Sequence, residues 1–125
     1  MAYERRIARQ ICRRYGDLYL VGPWIEFEDV NGKGFAQPDG ILLMGGLAVV
    51  NEVKLTHTDL AFEELELLYG PLISTLLSRP VRLVETFKNW TKGGPTSNLH
   101  RPRQIASLGE ALDLAPDEMG YLNLV

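Results

Sequence analysis

The residues best suited to chemistry are an aspartate, a glutamate and a lysine on either side of a glycine pair. Asp39 precedes an apolar stretch, Gly45-Gly46 interrupts that stretch, and Glu52 and Lys54 follow it. If the two glycines form a two-residue hairpin loop, Asp39 lies directly opposite Glu52, with Cβ atoms about 4.5–5.5 Å apart. Lys54, two residues beyond Glu52, projects from the same face of the sheet. The sequence therefore predicts two carboxylates and an ammonium group on one patch.

This opposed pair of carboxylates predicts a bound divalent cation. The other residues of the same face are apolar or small, namely Ile41, Leu43, Ala48 and Val50. A helix is expected to cover such a face, and like charges in a half-buried sheet repel each other. Mg²⁺ would compensate the repulsion through its hard oxygen ligands, and Mn²⁺ would substitute for it. Lys54 adds a positive charge suited to a phosphate. Gln37, opposite Lys54 in this register, is expected to contact the substrate.

The N-terminal segment predicts an amphipathic helix that adds a further acid. Residues 2–15 place apolar side chains at helical spacing, and Gly16 ends the pattern. Glu4 falls on the apolar face, from which it could reach the patch as a metal ligand. The alternative is that Glu4 is an acid stabilised by the helix dipole. Arg5 and Arg9 lie on the polar face and are expected to bind substrate.

Basic residues are concentrated in two segments although the formal net charge is −3. Residues 1–14 contain five arginines and one acid, and residues 79–103 contain six basic residues and one acid. Local basic segments, rather than the total charge, determine contact with a nucleic-acid backbone. For any single arginine, solvated surface charge is the alternative. The segregation therefore favours binding to phosphate groups, with Lys88 and Lys92 among the expected substrate-binding residues.

The remaining patterns predict a mixed α/β fold with helices packed on a central sheet. The expected elements after the first helix are strands at 24–28, 35–44 and 47–55, a helix at about 58–78, a strand at 81–87, a loop at 89–104 and a short helix near 105–114. Thr58 or Asp59 is expected to cap the second helix, and Pro71 to kink or restart it. The 125 residues are expected to form a single domain, 1–125.

Other polar residues near the motif are interpreted as structural. Glu63, Glu64 and Glu66 indicate a solvated helix surface, and His57 a polar residue at the helix start. The single cysteine excludes an internal disulfide, a zinc ribbon and a cysteine-ligated iron–sulfur cluster. No apolar run approaches a bilayer span, and the N-terminus lacks the apolar core of a signal peptide. We expect a cytoplasmic protein without membrane contact or nucleotide cofactor.

The Pro-Asp, spacer and Glu-x-Lys pattern resembles the PD-(D/E)xK nuclease superfamily. Pro38-Asp39 matches its first half-motif and Glu52-Val53-Lys54 its second, and the resemblance spans roughly residues 2–88. It implies a restriction-endonuclease-like core, helix–three strands–helix–strand, and metal-dependent hydrolysis of DNA phosphodiesters. The implied catalytic residues are Asp39, Glu52, Lys54 and Glu4, and the implied metal ligands are Asp39, Glu52, Glu4 and the Val53 carbonyl.

Two branches of this superfamily offer a closer comparison. Glu4 would match the helix-borne glutamate of the Holliday-junction-resolvase branch. A branch of exonucleases carries a downstream Gln-x-x-x-Tyr motif; Tyr69 is present here, but Leu65 stands where the glutamine would be.

The resemblance implies a structure-selective endonuclease for branched DNA that acts as a homodimer in the cytoplasm of a bacterial or phage-infected cell. Such a protein would be similar to small recombination enzymes of phages and mobile elements. The alternatives are an exonuclease or nonspecific nickase of the same superfamily, or a catalytically silent module that binds DNA or protein. The opposed carboxylates disfavour the silent module, since binding alone gives no reason to retain them.

Overall fold

The chain folds around a six-stranded mixed sheet, seen in a computed structural model that describes residues 2–90 and 94–125. In chain order the elements are helix α1 (Ala2–Tyr15), strands β1 (Tyr19–Val21), β2 (Ile25–Asp29), β3 (Gly32–Ala36), β4 (Gly40–Met44) and β5 (Leu47–Thr56), helices α2 (Asp59–Glu64) and α3 (Gly70–Leu77), and strands β6 (Val81–Asn89), β7 (Arg101–Gln104) and β8 (Glu118–Asn123). A π-helical turn, Leu65–Tyr69, joins α2 to α3, and a 3₁₀ turn, Leu108–Asp113, precedes β8. None of the described helices is long and apolar enough to cross a bilayer.

The sheet has the strand order β1-β4-β5-β6-β8-β7. Strands β1, β4 and β5 are antiparallel neighbours, whereas β5, β6, β8 and β7 run parallel. On one face the α1 residues Tyr3, Ile7 and Ile11 pack against β4, β5 and β6. On the other face the α2–α3 segment packs through Phe62, Leu65 and Ile73. The predicted fold class, a mixed sheet flanked by helices, is confirmed.

The β4–β5 hairpin has the predicted register. Met44 pairs with Leu47, and Gly40 pairs with Asn51. Gly45 and Gly46 have φ values of 61° and 77°. A type I′ two-residue turn needs positive φ at both central positions, which explains the glycine pair. This register brings the two halves of the motif to the same end of the sheet.

A buried polar chain lies beneath α1. The Thr86 hydroxyl donates to Asn51 Oδ1 at 2.8 Å, and Asn51 Nδ2 donates to the Tyr19 hydroxyl at 3.2 Å. Gly40 allows the Tyr19 ring to lie against the backbone, since a Cβ at Gly40 would be 1.9 Å from the hydroxyl oxygen. Because its polar atoms find hydrogen-bond partners, which offset the cost of burying them, this chain ties β1 to β5 and β6.

The predicted first two strands are wrong in their placement. The pattern at 24–28 forms β2, which pairs with β3 in a separate two-stranded sheet instead of joining the central one. The predicted strand 35–44 is divided between β3 and β4, because Pro38 in the connecting segment has no amide to donate to a ladder. The three-residue β1, which was not predicted, forms the edge beside β4.

The C-terminal region also differs from the expectation. The predicted loop 89–104 ends in β7, whose exposed residues include Arg101, Pro102 and Arg103. The predicted final helix is the 3₁₀ turn Leu108–Asp113, and β8 was not predicted. Strand β8 lies between β6 and β7 and is covered on both faces, so it lacks the alternating pattern of a half-exposed strand.

The second helix begins as predicted and changes its pitch before Pro71. Thr58 is the N-cap, and its hydroxyl accepts from the Ala61 amide at 3.4 Å. The Gly70 amide donates to the Leu65 carbonyl five residues back, which defines the π turn. Pro71 has no amide for the helix ladder, so the helix adapts directly before it.

Candidate cation centre

The carboxylates of Asp39 and Glu52 meet at the end of the β4–β5 hairpin. The Asp39 amide donates to Glu52 Oε1 at 3.1 Å, and the Val53 amide donates to Asp39 Oδ2 at 2.7 Å. Each acid is thus held by the backbone of the opposite strand. The ammonium nitrogen of Lys54 lies 3.8 Å from Glu52 Oε2, on a side chain that is 38% exposed. The structure brings together these three predicted site residues.

The electrostatics of the pair are unfavourable when no cation is bound. Burial, followed by the negative charge of Asp39, raises the pKa of Glu52 to about 8. Burial also raises the pKa of Asp39, with the charge of Glu4 adding to the effect and the Val53 amide and Lys54 opposing it. At neutral pH the pair therefore tends to retain a proton, and a divalent cation would replace that proton.

The donor set fits a magnesium-like ion. Among the described hydrogen bonds, none engages Asp39 Oδ1. Within the described ranges no three acidic, histidine or cysteine side chains have the spacing of a complete metal cage. Mg²⁺ does not need one, since it commonly binds through one or two carboxylates and keeps several waters. Asp39 and Glu52 would thus be the fixed ligands, while the Val53 carbonyl remains a predicted one.

Helix α1 brings Glu4 to the same end of the sheet. Glu4 lies in the first turn of α1 and lines a cavity of about 340 Å³ together with Arg5, Gln37 and Asp39. The negative charge of Glu4 contributes to the raised pKa of Asp39. The predicted approach of Glu4 to the acidic pair agrees with this placement.

Gln37 does not have the predicted position. The β4–β5 ladder ends at Gly40, so Gln37 does not pair with Lys54. Its side-chain amide instead donates to the Gly22 carbonyl at 2.9 Å, and the Gly22 amide donates to the Asp39 carbonyl at 2.8 Å. Gln37 therefore lines the cavity from the β1 side and braces the segment that carries Asp39.

Basic side chains lie on both sides of Glu4. Arg5 lines the cavity that contains Asp39, whereas Arg9 and Lys88 line a second cavity of about 590 Å³, also bordered by Glu4. Of these three predicted substrate-binding residues, Arg5 thus shares a cavity with Asp39, whereas Arg9 and Lys88 share one only with Glu4. Lys92, also predicted, lies outside the described residues.

Two residues at this site, Glu64 and Tyr69, were not predicted. The charge of Glu64 contributes to the raised pKa of both Asp39 and Glu52. Burial, followed by the charges of Glu52, Glu64 and Asp39, raises the pKa of Tyr69 to about 12. Glu64 is exposed, as the interpretation of this residue as helix surface expects. Leu65 is fully buried in the core.

A second buried pair lies next to the centre. His57 Nδ1 is 2.6 Å from Glu85 Oε1, and both side chains are inaccessible to solvent. Glu85 is the ladder partner of Glu52 on β6. Burial raises the pKa of Glu85 to about 7 against the opposing effect of His57. His57 therefore anchors the start of the second helix to β6, a fixed structural position that its sequence context did not reveal.

The chain was compared with known protein families, curated proteins and solved structures, and no match was found. The chemical capacity of the site therefore follows from its own geometry. That geometry comprises two backbone-held carboxylates, an adjacent ammonium group and one arginine, Arg5, lining the cavity that contains Asp39.

Proposed function

We propose that this protein is a metal-dependent DNA nuclease of the PD-(D/E)xK type. The observation that carries the proposal is the meeting of Asp39 and Glu52 across the hairpin, with Lys54 beside them and the pKa of Glu52 raised to about 8. Two neighbouring acids, one buried and one half-buried, repel each other in their charged forms unless a cation is shared between them. The mixed sheet flanked by α1 and α2–α3 supports a restriction-endonuclease-like core.

The residues of the centre have separate roles in this proposal. Asp39 and Glu52 would hold Mg²⁺ or Mn²⁺, with Glu4 and the Val53 carbonyl as additional ligands. The ion supplies a bound water of lowered pKa and charge stabilisation at phosphate oxygens. The amides of Asp39 and Val53 fix the two carboxylates before substrate arrives, which reduces the reorganisation needed during reaction. Lys54 stabilises negative charge that develops on the phosphate.

Arg5, Arg9 and Lys88 are the proposed contacts to the DNA backbone. They border the cavities on either side of Glu4. Such contacts bind phosphates and carry no sequence information directly. This supports selection by DNA shape, and we propose a homodimeric, structure-selective endonuclease, with exonuclease activity as the alternative to be tested.

Cleavage of a labelled DNA panel tests the proposal. The substrates are linear, nicked, flap, four-way-junction and single-stranded DNA, each with Mg²⁺, Mn²⁺ or EDTA. We expect metal-dependent cleavage of branched DNA; a requirement for DNA ends would identify an exonuclease. Lys54→Ala should lose about 10²–10³-fold in rate, the usual cost of removing a preorganised electrostatic group. Lys33→Ala, an exposed lysine of the β2–β3 hairpin, is the matched control.

Two outcomes contradict the proposal. Cleavage by folded Lys54→Ala at the wild-type rate refutes the site. If no substrate is cleaved with either metal, the proposed nuclease activity is refuted and the alternative, a catalytically silent binding module, is favoured.

A further inference from the structure

We propose that Trp24 and Phe35 form a stacking platform for an unpaired base of DNA beside the cation centre. The proposal rests on the proposed nuclease centre and names its substrate class, which is DNA with unpaired bases close to the cleaved phosphate. The two rings lie at the root of the β2–β3 hairpin, the end opposite its turn, with centroids 5.3 Å apart. Both side chains are exposed, Trp24 by 62% and Phe35 by 56%.

The two faces of this hairpin have different environments. Strand alternation directs Ile25 and Ala36 to the inner face, where both are buried in the core cluster that also contains Ile41. Trp24 and Phe35 belong to the outer face. The rings are therefore carried on a packed support while they are open to water. They leave apolar surface that a stacked base would cover.

The root of the hairpin is joined to the segment that carries Asp39. The Gln37 side-chain amide donates to the Gly22 carbonyl at 2.9 Å, and the Gly22 amide donates to the Asp39 carbonyl at 2.8 Å. Gly22 and Gln37 also line the cavity of about 340 Å³ that contains Asp39. Trp24 and Phe35 are each two residues from this lining, which is about 7 Å along an extended strand. Because nucleotides repeat every 3.4 Å or about that along one DNA strand, the platform lies within a few nucleotides of a phosphate bound in the cavity.

The charges around the rings favour a base over the sugar-phosphate backbone. Glu26 lies directly opposite Phe35 in the hairpin register, and Glu28 lies opposite Lys33. A phosphate beside Glu26 would be repelled, whereas the face of a base carries no net charge. Arg5, in contrast, lines the cavity beside the centre and can neutralise a phosphate there. The backbone is thus expected to follow the cavity while a base turns onto the rings. Taking a base out of a duplex costs free energy, so a base that is already unpaired is selected.

The fluorescence of Trp24 tests the stacking directly. The second tryptophan, Trp90, is anchored elsewhere, since its indole nitrogen donates to Asn123 Oδ1 at 3.3 Å and its ring makes edge contacts with Phe87 and Tyr121. Trp90→Phe therefore leaves Trp24 as the one tryptophan of the chain. Single-stranded DNA added to this variant in EDTA should quench the Trp24 fluorescence, and continuous duplex of the same length should quench it much less.

The affinity for labelled DNA, measured by fluorescence anisotropy in EDTA, tests the contribution of the platform to binding. Trp24→Ala should weaken the binding of single-stranded and flap DNA roughly 5- to 150-fold, the range for loss of one base–aromatic stack, and change duplex binding less than about twofold. Trp24→Phe keeps a ring and should restore most of the affinity. Val30→Ala, at the fully exposed turn of the same hairpin, is the matched control and should bind as the wild type does. Thermal unfolding of each variant checks that the fold is retained.

The outcomes separate this inference from the proposed function. If the wild type cleaves DNA but Trp24→Ala binds flap DNA with unchanged affinity, or the Trp24 fluorescence does not respond, the platform is refuted and the nuclease remains. Equal losses of duplex and single-strand affinity would also overturn the platform, because the rings would then not select unpaired bases. If sedimentation shows that Trp24→Ala separates a dimer while DNA binding is unchanged, the rings contact a second copy of the chain instead. If the wild type neither binds nor cleaves DNA, the proposed function fails and this inference fails with it.

Discussion

Replacing Glu52 with glutamine should stabilise the metal-free protein while weakening the proposed binding of a cation. Glutamine keeps the shape of the side chain and an oxygen that can accept from the Asp39 amide. It removes the charge, which in the folded state is disfavoured first by burial and then by Asp39. The same substitution removes one of the two proposed cation ligands. The free energy of unfolding and the metal affinity should therefore change in opposite directions.

The size of the stabilisation depends on pH. The pKa of Glu52 rises from 4.5 to about 8 on folding, so the folded state binds more protons than the unfolded state between these values. The contribution of Glu52 to the wild-type free energy of unfolding consequently falls as pH rises through this interval and is constant above it. At about 1.4 kcal/mol per pH unit, Glu52→Gln should gain roughly 3 kcal/mol over the wild type between about pH 5.5 and about pH 9.

Urea unfolding in EDTA at these two pH values measures the difference directly. Titration of Glu85 cancels because it is common to both proteins. Glu63→Gln is the control and should show no pH-dependent gain. With Mn²⁺ at 100 times its Kd, the wild type should gain about 2.7 kcal/mol, and Glu52→Gln much less. If the free energies of unfolding of the wild type and Glu52→Gln differ by the same amount at both pH values, the reasoning is refuted.

Two further predictions concern substrate binding and the sheet. Arg9→Gln and Lys88→Gln should each reduce the slope of log K against log salt for duplex DNA by about 0.9, measured by fluorescence anisotropy, because each removes one phosphate contact; an unchanged slope contradicts the assigned contact. Gly40→Ala should destabilise the protein by about 3 kcal/mol in urea unfolding, because its Cβ would lie 1.9 Å from the Tyr19 hydroxyl oxygen. Wild-type stability of that variant would show that Tyr19 moves aside easily.

The sequence predicted the acidic pair because its position depends on local chemistry. Two glycines with positive φ fix the turn, and the alternation of side chains along a strand then places Asp39 and Glu52 on the same face. The approach of Glu4 was predictable for a similar reason: helical periodicity places Glu4 on the same face of α1 as the buried Ile7 and Ile11. These inferences needed no knowledge of distant contacts.

The sequence did not predict features that depend on tertiary pairing. Strand β1 has only three residues, and its identity comes from its pairing with β4. Strand β8 is covered on both faces and shows no period of two. Gln37 was misplaced because the ladder was extended past Pro38, which cannot donate to it.

The outer strand β7 has consequences for self-association. Its free side presents Pro102, which has no amide to donate, between Arg101 and Arg103. These guanidinium groups are paired with Asp117 and Glu118 and stay hydrated at the surface. A strand from another molecule that paired with this edge would desolvate the guanidinium groups of Arg101 and Arg103. It would also form one backbone hydrogen bond fewer than at an edge without proline, because Pro102 has no amide hydrogen. Fibre-like growth of the sheet is thereby disfavoured at β7, which helps the protein resist aggregation at high concentration.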